Sequence, residues 1–167
     1  MGGFRFTVTE KDFQVDLARG LRAQGCFCQK WPDLARAVVK PFDLCMGYDR
    51  QFYAIECKLT KVTAKRGLTA ETKVLCRNDF RPHQLPTLID LYARDQAIPY
   101  IAVCVAWQEG LGRMKKRAWL FPAHIYCDER LDTITLQEME DDYDAELIWK
   151  PGVGWLVPWL PYPSQEP

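Results

Sequence analysis

The run QFYAIECKL, residues 51–59, restricts the fold of this chain more than any other segment. Side chains of a strand alternate between two faces. One face carries Tyr53, Ile55, Cys57 and Leu59, all able to pack; the other carries Phe52, Ala54, Glu56 and Lys58. The segment is therefore apolar on both sides until its carboxyl end, where one face abruptly becomes acid and base. Such a change conflicts with simple core formation.

The neighbouring segments supply the rest of a sheet. FDLCM, residues 42–46, reads as a preceding strand, joined to the first run by the turn-forming GYDRQ. Residues 82–96 read as a helix with Leu85, Leu88, Leu91 and Tyr92 facing inward, and with Pro86 delaying or bending its first turns. IPYIAVCVAW reads as a central strand, QEGLGR as a turn and KKRAWLFP as a returning strand. Upstream, Phe13, Leu17 and Leu21 recur at helical spacing with Val15 and Ala18 beside them, predicting a helix over 12–24. Asp12 is its expected amino-terminal cap and Gly25 its terminator. This order predicts an α/β fold with a mixed central β-sheet flanked by helices. The stretch between the first helix and FDLCM reads as a polar, proline-containing link, and residues 60–81 as a basic loop able to hold a short helix.

A chain of 167 residues fits one domain, and 48% hydrophobic with 26% charged residues is ordinary globular composition. No stretch approaches the roughly 20 apolar residues that cross a bilayer. The amino terminus lacks the apolar run of a secretory peptide. Gly2 does not fit myristoylation, because Phe6 stands where Ser or Thr is required. Cytoplasmic residence is the expectation. The seven cysteines are odd in number, and several sit in apolar runs, so reduced, buried thiols are expected. Cys26 and Cys28 form a CxC that no second pair completes as a zinc site.

The net charge of zero hides an asymmetry: residues 1–127 hold 20 Lys/Arg against 12 Asp/Glu, and residues 128–167 hold 2 against 10. A basic body attracts nucleic-acid phosphates even in a neutral chain. Residues 1–127 are thus expected to form the functional core with its basic surface. Residues 128–167 are expected to be an acidic, proline-containing extension packed on the same domain.

If the two strands are neighbours, Asp43 and Glu56 converge, and Lys58 shares the face of Glu56. Two adjacent carboxylates repel, and a divalent cation holds both ionised. Magnesium suits hard oxygen ligands and also binds phosphate oxygens, with manganese a possible substitute. Lys58 then offsets negative charge developing on a phosphate under attack, or orients water. The bland alternative is a surface Asp and a simple Glu56–Lys58 ion pair. Lys61, Lys65, Arg66, Lys73, Arg77 and Arg81 are candidate phosphate contacts, joined by a second patch of Lys115, Lys116 and Arg117. Trp107 and Trp119 beside that patch are expected to pack, not to stack on bases.

FDLCMGYDRQFYAIECKLTK resembles the D…ExK core of the restriction-endonuclease-like PD-(D/E)XK superfamily. FRPHQLPTLIDLYARDQAIPYIAVCVAW resembles the helix-and-strand segment of RecU-like Holliday-junction resolvases. The resemblance implies magnesium-dependent cleavage of branched DNA, commonly by a homodimer, with Asp43 and Glu56 as metal ligands and Lys58 as the catalytic lysine. Gln84 matches the glutamine of the family's helix, and His83 is a phosphate contact or an ordinary helix-surface histidine. The family's first-helix glutamate falls on Gln14, which supplies no negative charge; Glu10 or Asp16 substitutes if the helix is shifted. The stalk insertion of some RecU proteins is not evident. The expected function is a DNA endonuclease acting at Holliday junctions or other recombination and repair intermediates. A general repair or restriction-type nuclease, a catalytically silent DNA-binding scaffold, and a structural partner with a docking acidic tail are the alternatives.

Overall fold

Thr9 caps the first helix, which begins at Glu10, two residues earlier than its apolar spacing predicts. In the computed structural model, which describes residues 8–32, 40–63, 67–109, 112–126, 132–142 and 145–161, helix α1 spans Glu10–Ala23. The Thr9 hydroxyl accepts the Asp12 amide at 3.1 Å, and the Asp12 carboxylate accepts the Thr9 amide at 2.9 Å. Asp12 is therefore the reciprocating member of a capping box, not the cap itself. Gly25, at φ +81°, follows the helix as expected.

Strands β1 (Phe27–Lys30), β2 (Leu44–Tyr48), β3 (Gln51–Thr63), β5 (Ile98–Gln108) and β6 (Met114–Pro122) form one mixed sheet in the order β1-β2-β3-β5-β6. Among the described strands only β3 and β5 pair in parallel, connected through helix α2 (Gln84–Ala93). β1 occupies part of the stretch expected to be a link; at four residues it is too short for a visible alternation. β5 is interior, but β3 holds the middle place. The β2–β3 turn puts Asp49 and Arg50 at φ 46° and 61°, the backbone of a tight hairpin between Tyr48 and Gln51.

The alternation along β3 separates two cores. Ile55 and Cys57 face a layer containing Phe13, Leu17 and Leu21 of α1, while Ala54 faces a layer containing Leu85 and Leu88 of α2. Tyr92 departs from expectation: it is 57% exposed and stacks on His124 of the short helix α3 (Ala123–Tyr126). The basic connection is more ordered than a loop. β3 runs on to Thr63, β4 (Lys73–Cys76) pairs with β7 (Thr133–Thr135), and a 3-10 turn covers Arg77–Asp79. The Thr60 hydroxyl donates to the Val74 carbonyl at 2.7 Å and ties β4 to β3.

The described carboxyl-terminal residues complete both layers. Ile134 and, on α4 (Leu136–Asp142), Met139 join the α2 side; Leu147, Trp155 and Val157 join the α1 side. The small hairpin β8 (Ile148–Lys150) and β9 (Gly154–Leu156) lies against α1. Gln24 anchors the chain just beyond β9, accepting the Val157 amide at 2.8 Å and donating to the Val157 and Leu160 carbonyls at 2.8 and 3.1 Å. Cys26, Cys28, Cys45, Cys57 and Cys104 are free and buried, Cys76 is free and half-buried, and Cys127 lies outside the described residues. No described helix is long and apolar enough to cross a membrane.

Candidate active cleft

Asp43 immediately precedes β2 and continues its ladder. Its amide donates to the Ile55 carbonyl at 3.0 Å, and its carbonyl accepts the Trp31 amide at 2.8 Å. The β2–β3 register begins at Leu44, opposite Ile55, so Asp43 stands at its edge, and its carboxylate reaches β3 through the Cys57 amide. Glu56 and Lys58, two residues apart on β3, share one face. The three side chains line a cleft of about 410 Å³.

All three are nearly removed from water: Asp43 is 7% exposed, Glu56 1% and Lys58 6%. Charged groups at this depth are costly unless paired. Glu56 Oε1 accepts Lys58 Nζ at 2.8 Å and also takes the Gln84 amide nitrogen. Gln84 Oε1 in turn accepts Lys58 Nζ at 2.9 Å and the Arg81 backbone amide at 2.8 Å. The Lys58 ammonium lies 5.0 Å from the centroid of the Phe80 ring. Asp43 Oδ2 accepts the Cys57 amide at 2.9 Å, and Oδ1 accepts Lys40 Nζ at 2.9 Å.

Burial pushes the Glu56 carboxyl up to about 7, and the neighbouring Asp43 adds to the rise while Lys58 opposes it. Glu10 is also raised, chiefly by burial; Lys58 opposes the rise and Asp43 adds to it. The folded protein therefore binds the Glu56 proton more tightly than the unfolded chain does. Stability contributed by the protonated acid is full below about pH 4.5 and is lost as pH rises through 7, by about 3 kcal/mol in all. Urea unfolding of the metal-free protein between about pH 5 and 8 is expected to show that decline, and E56Q is expected to flatten it.

The cleft gathers Asp43, Glu56, Lys58, Gln84, Gln14, Arg81 and His83 from the residues expected to act together. Gln14 is 6% exposed, and Glu10, one helical turn earlier, lines the same cleft. Asp16 points elsewhere, pairing with Arg19 and lying 3.8 Å from Lys116. Of the two substitutes for the family's helix glutamate, Glu10 is thus the one at the site. Lys11, Lys30, Lys40 and Asp79 also line it and were not anticipated. Lys40 stands three residues before Asp43, a spacing that carries no signal by itself.

The other expected phosphate contacts are dispersed. Lys61, Lys73 and Arg77 are spread along β3, β4 and the 3-10 turn, outside the cleft lining, and Lys65 and Arg66 lie outside the described residues. Lys115, Lys116 and Arg117 on β6 have internal partners. Lys115 pairs with Glu109 at 2.7 Å, and Lys116 sits 4.2 Å over the Trp149 ring. Arg117 is held by both Glu146 oxygens at 2.7 Å and by Glu140. Part of the acidic segment is therefore spent neutralising that patch. Trp107 and Trp119 are buried, as expected of packing residues.

No protein-family profile matches the chain, and no curated protein matches it. Among solved structures it is similar to that of Hjc, a Holliday junction resolvase from the archaeal hyperthermophile Archaeoglobus fulgidus. The identity is 20%, the match covers 77% of this chain and 89% of that one, and the TM-score is 0.43. At that level of superposition the likeness carries no inference about chemistry.

Proposed function

We propose that the protein is a divalent-metal-dependent endodeoxyribonuclease acting at Holliday junctions or other branched recombination and repair intermediates. One observation carries the reading: Asp43, Glu56 and Lys58 converge, buried, in a single polar cleft. A buried acid with raised proton affinity, Glu56, beside a fixed ammonium is the mark of a working site more than of a structural one. The DNA class rests on the resemblance of residues 42–61 and 80–107 to the resolvase segments. Arg81, His83 and Lys11 at the cleft offer positive or polar contacts for phosphates.

The donor set fits a hard cation. Asp43 and Glu56 supply carboxylate oxygens, and Glu10 and the Gln14 amide line the same cleft. Among the described residues no three His, Cys, Asp or Glu side chains stand close enough to hold a metal alone. Asp43 and Glu56 would hold magnesium or manganese with water in the remaining positions, an arrangement magnesium favours. When bound, the ion lowers the pKa of water and polarises a phosphate oxygen. The Lys58 ammonium presents positive charge where the phosphate gains negative charge. Gln84 fixes that ammonium against Glu56, and the Arg81 amide fixes Gln84. Paired incision of a four-way junction needs two sites, so the assembly in this reading is a homodimer, resident in the cytoplasm.

A second reading, a silent DNA-binding scaffold, is favoured by the ammonium partner on each carboxylate: Lys40 on Asp43 and Lys58 on Glu56. A general repair or restriction-type nuclease differs only in substrate. Cleavage of linear, nicked, flap and four-way DNA with magnesium or manganese separates the three. Paired symmetrical cuts confined to four-way junctions are expected. Equal cutting of simple duplex points to the general nuclease, and junction binding without cutting by folded protein points to the scaffold.

A further inference from the structure

Asp43 divides its carboxylate between two partners of different kinds. Oδ2 is committed to the β3 backbone through the Cys57 amide at 2.9 Å, a contact that fixes the side chain beside Glu56. Oδ1 accepts Lys40 Nζ at 2.9 Å. The Lys40 side chain is 24% exposed, so its ammonium has a route to solvent that the 8% exposed Lys58 lacks. A dication ligated by Asp43 Oδ1 would meet the Lys40 ammonium there, and two cations at one carboxylate oxygen repel.

We infer that Lys40 is a built-in competitor of the divalent ion: it holds Asp43 Oδ1 in the metal-free protein and keeps metal loading weak until its ammonium is drawn away. The inference rests on reading the cleft as a metal centre. An anionic phosphate entering the cleft, whose lining includes Lys40, is the group that would draw the ammonium off. Metal occupancy would then rise when DNA is bound, which limits hydrolysis away from substrate. Lys58 cannot take this role, because it is held by Glu56 and Gln84 together and lies against Phe80.

The test is Mn2+ binding to DNA-free protein at neutral pH, followed by loss of the free-ion paramagnetic resonance signal, for wild type, K40Q, K40R and D43N. K40Q is expected to bind Mn2+ about tenfold more tightly than wild type, since it removes a like charge at ion-pair distance. K40R, which keeps the charge, is expected to stay near wild type. D43N is expected to lose most of the binding. Melting temperatures establish that each variant is folded. Tighter binding by K40Q, including binding by K40Q where wild type shows none, supports the competitor role. Unchanged or weaker binding by K40Q, with D43N still impaired, overturns that role and leaves the metal centre standing. Absence of binding in both wild type and K40Q overturns both.

Discussion

Asp43→Asn or Glu56→Gln is expected to lower the proposed DNA cleavage by about 10³-fold or more while the protein remains folded, measured as single-turnover rates with saturating magnesium. The magnitude comes from the role assigned to the pair. A cation that polarises phosphate and activates water stabilises the transition state by several kcal/mol, and about 4 kcal/mol is a thousandfold in rate. The amide variants separate that loss from unfolding. Asp43→Ala strips an acceptor from the buried Cys57 amide, which costs about 1–3 kcal/mol, whereas asparagine keeps a carbonyl oxygen there. Glutamine at position 56 retains an oxygen for Lys58 and Gln84 but removes the charge that burial already disfavours. Folded variants that still cut at wild-type rates remove both residues from the chemistry.

Gly20→Ala is expected to destabilise the protein by about 3 kcal/mol or more, at or beyond the top of the range for overpacked cores. A Cβ at position 20 would lie 1.8 Å from the Trp155 carbonyl oxygen and 2.6 Å from its carbon, so backbone must separate from backbone. Gly154, at φ +117°, makes the reciprocal approach: its Cβ would meet the Asp16 carbonyl oxygen at 2.2 Å. α1 and β9 therefore meet on glycine from both sides. Gly47→Ala is the control, since its Cβ would meet Phe27 at an ordinary 3.6 Å. Urea unfolding of the two variants gives the comparison; equal midpoints would show that α1 does not depend on this approach. The effect also reaches the cleft, because α1 carries Glu10 and Gln14 into it.

Legibility in the sequence followed the length and periodicity of each element. β3 and β5 are long apolar runs, and their alternation assigned Ile55, Cys57 and Ala54 to the correct layers. The same alternation placed Glu56 and Lys58 together, and the pairing of β2 with β3 brought Asp43 into the same cleft. Short elements were not legible. β1 is four residues of FCQK, and β4 and β7 gain their pairing only from each other, across about 60 residues of chain. The helix start was misplaced because a capping box contains two residues that can each act as cap, and spacing alone favoured Asp12 over Thr9. That shift left Glu10 outside the expected helix, named only as one of two substitutes for the family's helix glutamate. Gln14 was legible through the resemblance, while Lys40 was not: its partnership with Asp43 is a matter of side-chain reach. The neutralisation of Arg117 by Glu140 and Glu146 was equally hidden, since it depends on where the acidic segment returns to the sheet.

The most direct test is diffraction from K40Q crystals soaked in manganese, recorded for its anomalous signal, because this variant lacks the ammonium that holds Asp43. A strong peak beside the carboxylates of Asp43 and Glu56 is expected, with Lys58 directed into the same cleft. A crystal with no peak at those carboxylates, or with the three side chains on separate surfaces, would contradict the metal-centred cleft.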